Sequence, residues 1–247
     1  MDEEPLPGGF VTEVVRVGNT VRRRPAERAA YVRSLLTHFA RHGWPGAPRH
    51  LGTDEQGREV LSYLDGHVAW QPDQPPTVGD DESLAAMARL IREFHDLTAG
   101  TPLAEGDEVV CHNDLSPKNT VYRPRPVAFI DWDTAAPGRR VHDVAHACWQ
   151  FCGPGPEGPG PDGTGRRMAV VCDAYGLVAA DRALLVETVL WWQDRCRRGI
   201  EEGAAGGDAA MVRLRDLGVP AAVGAARAWT TAHRPALEHH VTARPRG

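Results

Sequence analysis

The chain has 247 residues, of which 42% are hydrophobic and 25% charged, and a formal net charge of −5. That composition excludes a chain disordered throughout, and the negative balance argues against a nucleic-acid binder. No apolar run approaches the ~18 residues that a spanning helix needs, so no membrane partner is expected.

A chain of this length forms one large domain or two small lobes around a shared site. The five cysteines, Cys111, Cys148, Cys152, Cys172 and Cys196, are odd in number and form no C-x-x-C pair. Met1 to Pro7 is acidic and Pro-rich, unlike a secretory signal, so reduced thiols and a cytoplasmic location are expected. Of the 28 basic residues, one is a lysine, Lys118, and the rest are arginine.

In chain order, residues 10–23 read as a hairpin with Gly18-Asn19 as its turn. Pro25 then opens a helix whose apolar face is Ala29, Val32, Leu35, Leu36 and Phe39, ending at Gly43. Gln56-Gly57 marks another turn, and Glu59 to Leu64 a strand closed by Asp65-Gly66. Residues 67–80 carry three prolines and read as a connector. Leu84, Met87, Leu90, Ile91, Phe94 and Leu97 recur at helical spacing as far as Gly100. Short strands follow at Val109-Val110, Val121-Tyr122 and Val127 to Ile130, with Pro124 and Pro126 forcing a turn between the last two. A helix is predicted from Val141 to Phe151. Cys152 to Gly165 is Gly/Pro-rich and reads as an irregular loop. The remainder is helical, with breaks near Gly176, Gly203 to Gly207 and Gly218-Val219-Pro220. A sheet-rich first part (1–62), a joint at 63–66 and a larger helical part (67–247) are expected.

Residues Cys111 to Tyr122 read C-H-N-D-L-S-P-K-N-T-V-Y. Within them, His112-x-Asp114-Leu115-x-x-x-Asn119 has the spacing of a kinase catalytic loop. Asp131 follows twelve residues beyond Asn119, at the end of the apolar run Val127 to Ile130. Phosphoryl transfer needs positioning and charge neutralisation more than covalent help. One carboxylate must aim the attacking hydroxyl and take its proton. An amide and a second carboxylate must hold magnesium, which takes hard oxygen ligands. Asp114, Asn119 and Asp131 supply that set. Taken singly, each residue is equally compatible with a turn or a helix cap; the combined spacing carries the reading.

The His-x-Asp-x-x-x-x-Asn loop followed by Ile130-Asp131-Trp132-Asp133, with no Phe-Gly after the metal aspartate, resembles the aminoglycoside phosphotransferase family and its choline-kinase-like members. The resemblance covers about residues 6–150 well, and the C-terminal helices only in general character. It implies an α+β, two-lobed protein-kinase-like fold with a small β-rich N-lobe and a larger helical C-lobe. It also implies transfer of the γ-phosphate of ATP or GTP to a hydroxyl of a small molecule, such as an antibiotic. Asp114 would be the catalytic base, and Asn119 and Asp131 would bind Mg2+, with Asp133 a lesser candidate. Leu61 would back the adenine pocket, and the hinge backbone at Ser62 and Leu64 would pair with the base. Asp143 would brace the catalytic loop, and His112 would be structural.

The family pattern places a lysine on the third strand, held by a helix glutamate. Here Lys118 lies in the catalytic loop instead, so an arginine must serve. With a strand period of two, Val21 shares a face with Arg23, which makes Arg23 the candidate for the α/β-phosphates and Glu27 its nearest helical partner. Gly8-Gly9 stands where a phosphate-covering loop begins but is not a G-x-G-x-x-G, and it reads as well as a flexible N-terminal tail. His142 and His146, four apart on one helix face, have zinc-ligand spacing but no third ligand in sequence. Trp149, Trp191 and Trp192 suit either helical core or an acceptor pocket. Glu187 and Asp194 are candidates to cradle an amine, although Arg195, Arg197 and Arg198 lie on the same helix. The competing function is a kinase-like ligand-binding or immunity protein that sequesters its ligand without transfer. A protein-hydroxyl kinase ranks last, because the short segment from Asp131 to Asp143 leaves no room for a long activation loop.

Overall fold

The computed structural model describes residues 3–6, 14–70 and 74–243. The chain opens on a five-stranded antiparallel sheet of β1 (Glu4–Pro5), β2 (Val14–Val17), β3 (Thr20–Arg23), β4 (His50–Thr53) and β5 (Glu59–Ser62). Their spatial order is β1-β2-β3-β5-β4. Gly18, at φ 60°, makes the β2–β3 turn that Gly18-Asn19 predicts. Gly8 and Gly9 lie outside the described residues.

Between β3 and β4, α1 (Ala29–Arg41) buries the five residues expected from its periodicity. It starts four residues after Pro25. The N-cap is Arg28, whose side chain bonds to Ala135 O at 2.8 Å and lies over the Tyr31 ring. Phe39 from α1 sits 4.8 Å from Trp44 and 5.1 Å from Trp132, ring to ring. This aromatic nucleus lies beside the residues that the motif singles out.

β5 ends at Ser62 rather than Leu64. The expected connector holds a two-residue strand, β6 (His67–Val68). It pairs with β8 (Thr120–Tyr122), which pairs in turn with β9 (Pro126–Phe129). β7 (Val109–Cys111) pairs instead with β10 (Ala136–Gly138). α2 (Asp81–Thr98) is capped by Asp80, whose side chain accepts from Ser83 N at 2.7 Å. Its buried face includes Leu84, Met87, Ile91, Phe94 and, among these apolar residues, His95.

The chain divides into two compact units after Asp143, within α3 (Arg140–Cys152). The second unit is helical: α4 (Gly160–Tyr175), α5 (Ala179–Ala205), α6 (Ala209–Asp216), α7 (Val219–Ala232) and α8 (Arg234–Thr242). The predicted irregular loop stops at Pro159. The prolines that suggested a loop sit at the helix start, with Pro159 as N-cap and Pro161 in the first turn, where a missing N–H costs nothing. The predicted breaks fall at Gly176, Gly207 and Gly218, all with φ between 74° and 84°.

Trp192 is buried with its ring 4.8 Å from that of His146, and Trp191 is 42% exposed. Asp194 is surrounded by Arg197 at 3.3 Å, Arg198 at 2.9 Å and Arg227 at 3.9 Å, and Glu187 pairs with Arg234. Local arginines thus neutralise the two carboxylates expected to cradle an amine. A groove of about 560 Å³ lined by Arg197, Glu201, Arg215 and the first turn of α7 holds none of the motif residues. Among the described residues, no helix is long and apolar enough to cross a membrane.

Candidate active site

The residues with catalytic-loop spacing lie between β7 and β8, and their shape is set by Asp143. This carboxylate is fully buried and accepts from His112 N at 2.7 Å, from Asn113 N at 2.9 Å and from His95 Nε2 at 3.1 Å. Burial by itself would raise its pKa. The His95 hydrogen bond and the neighbouring imidazoles outweigh that and hold it below the ordinary carboxylate range. Burial also pushes the His95 pKa down, against the pull of Asp143, so the pair is a neutral imidazole donating to an anion. Asn113 then takes a left-handed conformation, φ 63°, which suits asparagine and turns the chain toward Asp114. Its side chain donates to Thr134 O at 3.0 Å, and Thr134 Oγ1 donates to His112 O at 2.8 Å.

His112 has both ring nitrogens engaged. Its Nδ1 accepts from Asp114 N at 3.3 Å, and its Nε2 donates to Ile130 O at 3.1 Å. The ring is fully buried, 4.5 Å from Trp132. It therefore ties the Asp114 loop to the backbone one residue before Asp131, and it has no nitrogen left for proton transfer.

Asn119 Nδ2 donates to Asp114 Oδ2 at 2.8 Å and to Asp114 O at 3.0 Å, while its backbone O accepts from Ile130 N at 2.9 Å. Asp114 and Asn119 are thus one hydrogen-bonded unit, tied through the Asn119 carbonyl to Ile130, the residue before Asp131. Asp114 is half-buried. Burial raises its pKa, against the pull of His112, Lys118 and the Asn119 amide. A carboxylate of raised basicity, aimed by an amide, suits a group that receives a proton.

Asp131 also has left-handed backbone, φ 62° and ψ 64°, a costly conformation away from glycine that is frequent at functional sites. Its side chain is 51% exposed. With the Asn119 amide nitrogen committed to Asp114, the Asn119 amide oxygen and the Asp131 carboxylate, 3.5 Å from Arg23, are hard oxygen donors. That donor set fits magnesium.

Arg23 reaches Asp131 from β3. Its guanidinium grips Asp133 with both terminal nitrogens, at 2.5 and 3.0 Å, and lies 3.5 Å from Asp131. Its strand partner across the register is Glu59, 3.4 Å away and 2% exposed. Burial would lower the Arg23 pKa; Asp133, Asp131 and Glu59 together raise it instead. The expected partner, Glu27, is exposed. Glu59 takes its place because it is the residue directly across the strand pair. Arg22 points to the opposite face and pairs with Asp54 at 3.7 Å, as the strand period requires. Arg23→Ala is expected to destabilise the fold by roughly 3 kcal/mol in urea denaturation, because it strands the Glu59 carboxylate without a cation. Arg23→Lys keeps the charge but not the fork, so its loss should be smaller.

Leu61 is buried on β5, opposite Val21. Ser62 N donates to Arg49 O at 2.9 Å. The Ser62 hydroxyl, rather than its carbonyl, takes the Arg49 N–H, at 2.8 Å. Leu64 forms no hydrogen bond among the described residues. A carbonyl and an N–H two residues apart are therefore left out of the ladder where β5 ends.

Of the described His, Cys, Asp and Glu side chains, the trio His95, Cys111 and Asp143 is close enough to share a metal, and it includes neither His142 nor His146. The trio is already committed: His95 bonds to Asp143, and Cys111, a buried thiol whose pKa burial pushes well up, donates to Arg139 O at 3.3 Å. Sequence reasoning missed His95 as a partner of Asp143, and Glu59 and Asp133 as partners of Arg23. The signal for His95 was a polar residue on the apolar face of α2.

Residues 97–167 match the model of the phosphotransferase enzyme family. A stretch of 165 residues, 60% of this chain, is 36% identical to the trifolitoxin immunity protein of Rhizobium leguminosarum bv. trifolii and spans 61% of that protein's length. The fold is similar to that of a choline/ethanolamine kinase family protein from Mesorhizobium loti, with a TM-score of 0.65 at 15% identity over 98% of this chain and 92% of that one. It is also similar to aminoglycoside 2'-phosphotransferase-IIIa, solved as its GDP complex, with a TM-score of 0.56 at 15% identity over 98% and 92% of the two chains. The chain thus carries, over 97–167, the signature of the phosphotransferase enzyme family, and it carries that signature on the two-lobed kinase-like fold of the choline kinases and aminoglycoside phosphotransferases.

Proposed function

We propose that this protein is a small-molecule kinase that moves the γ-phosphate of ATP or GTP to a hydroxyl of a small acceptor, with Asp114 as the catalytic base. The observation that carries the reading is the hydrogen-bonded unit of Asp114, Asn119 and Ile130, the residue before Asp131, braced by Asp143. In this reading residues 1–62 cover the nucleotide, 63–66 form the hinge and 67–247 carry catalysis and the acceptor. Leu61 walls the base pocket. The Ser62 carbonyl and the Leu64 N–H pair with the base edge, the two groups left out of the ladder. Arg23 releases Asp133 to reach the α/β-phosphates, with Glu59 keeping it in place. Asp114 orients the acceptor hydroxyl and takes its proton. Asn119 and Asp131 would hold Mg2+, which supplies charge neutralisation at the phosphate oxygens.

A second reading has one observation of its own. The chain is 36% identical, over 60% of its length, to a protein named for immunity to trifolitoxin. Protection by binding alone would need neither metal nor nucleotide. Calorimetric titration of Mg-ATP and Mg-GTP into wild type and Asp131→Ala separates the two. Magnesium-dependent binding that Asp131→Ala weakens at least tenfold, about 1.4 kcal/mol, is the result expected of the kinase. Absence of binding by either nucleotide would leave the sequestering reading.

A further inference from the structure

Among the described residues, the strand and loop of the site carry the cations Arg23 and Lys118, and the structure commits the first of them. Arg23 is held by Asp133, Asp131 and Glu59. Lys118, one residue before Asn119, is exposed and forms no ion pair among the described residues. Its ammonium lies 5.7 Å from the centroid of Trp70, a cation–π contact that leaves its hydrogens free for another acceptor. The 3-10 turn Pro117–Asn119 carries it, and the same turn delivers Asn119 to Asp114 at 2.8 Å. An unpaired positive charge therefore stands on the loop of the proton-accepting carboxylate.

We propose that Lys118 is a catalytic residue whose ammonium binds the phosphoryl group in transit. The inference rests on the kinase reading above. In the transfer, the acceptor oxygen forms its bond to the γ-phosphorus as the bond from that phosphorus to the β–γ bridging oxygen breaks. The bridging oxygen leaves with the electron pair on the nucleoside diphosphate, and the hydroxyl proton goes to Asp114. Charge spreads over the equatorial oxygens of the phosphoryl group at that moment, and a nearby cation stabilises it more than it stabilises the ground state.

Composition adds an independent argument. The chain has 27 arginines, the 28 basic residues less Lys118, so arginine serves at every other cationic position. At 118 a guanidinium is a poor substitute. Its planar fork matches carboxylates bidentately, and Asp114 lies close enough to feel the charge at 118. It would lock onto the base it must leave free. An ammonium on a flexible stem follows the moving phosphoryl group as a point charge.

A single lysine makes the test direct. The whole protein is treated with limiting amine-acetylating reagent, and acetylation at Lys118 is followed by peptide mass spectrometry with Mg-ATP, Mg-AMP or neither present. Calorimetry on the same sample sets the nucleotide concentration at ten times Kd. Mg-ATP should slow acetylation about tenfold, the fraction left unbound, while Mg-AMP should slow it less than twofold. Lys118→Met should reduce the slow transfer of phosphate to water on the order of 10²-fold, with Lys118→Arg failing to restore it. If Mg-ATP binds and Lys118 is acetylated at the free rate, or if Mg-AMP protects it equally, the lysine does not touch the γ-phosphate and the kinase reading stands without it. If Mg-ATP does not bind at all, both fall together.

Discussion

Asp114→Asn is expected to lower kcat on the order of 10³-fold while Mg-ATP affinity stays near wild type. An amide in that place keeps the shape and can still receive the Asn119 Nδ2 hydrogen bond through its oxygen. It cannot take the acceptor proton. The loss falls in the transition state and not in the ground state, so kcat moves and the nucleotide Kd does not. The carboxylate's pKa is raised by burial, against the pull of His112, Lys118 and the Asn119 amide. The base form therefore disappears at a pH above that of an ordinary aspartate, and the acid limb of kcat should be displaced upward accordingly. Steady-state kinetics across pH, with calorimetry on the same variant, read both effects. Wild-type turnover by Asp114→Asn, once an acceptor is found, would remove Asp114 from its role.

Asp143→Ala should have the larger effect on the protein itself, about 3–5 kcal/mol of stability in urea denaturation. The variant removes one carboxylate and leaves three donors, His112 N, Asn113 N and His95 Nε2, in a fully buried site. Transfer should fail as well, because the left-handed turn at Asn113 that delivers Asp114 loses its anchor. Asn in this place would set an NH2 group against a backbone donor, so it should restore little. The pH dependence follows from the sign of the shift. The folded-state pKa of Asp143 is depressed, so its contribution is present in full above the unfolded carboxylate pKa. It is lost as pH falls through the folded one. Wild type should therefore lose more stability on acidification than Asp143→Ala does. Parallel curves for the two proteins would show that Asp143 is not the anion the loop depends on.

Much of the site is local in sequence and was legible there. Asp114 and Asn119 are five residues apart on one loop, and Asp131 follows across a two-strand hairpin, so short-range turn chemistry brings them together. The apolar faces of α1 and α2 and the glycine breaks at 176, 207 and 218 were readable for the same reason. Each reflects a period or a φ value that a few neighbouring residues determine. The errors were also local in kind. Pro159 and Pro161 read as a loop because proline marks both an interruption and a first helical turn, and only the residues beyond decide which.

By itself, then, the sequence determined the residue types, their spacing and the opposite faces of Arg23 and Arg22, since strand period requires no partner. The tertiary structure alone decided who neutralises whom. Glu59 lies 36 residues from Arg23 and Asp133 lies 110 away, yet both meet one guanidinium. His95 and Asp143 are 48 residues apart. Asp194, acidic and suitably placed on its helix, turned out to be ringed by arginines, one of them from α7. A buried charge must find its opposite wherever the fold provides it, and burial is not a property of any segment. Pairings of charge therefore emerge only when distant strands and helices are in place.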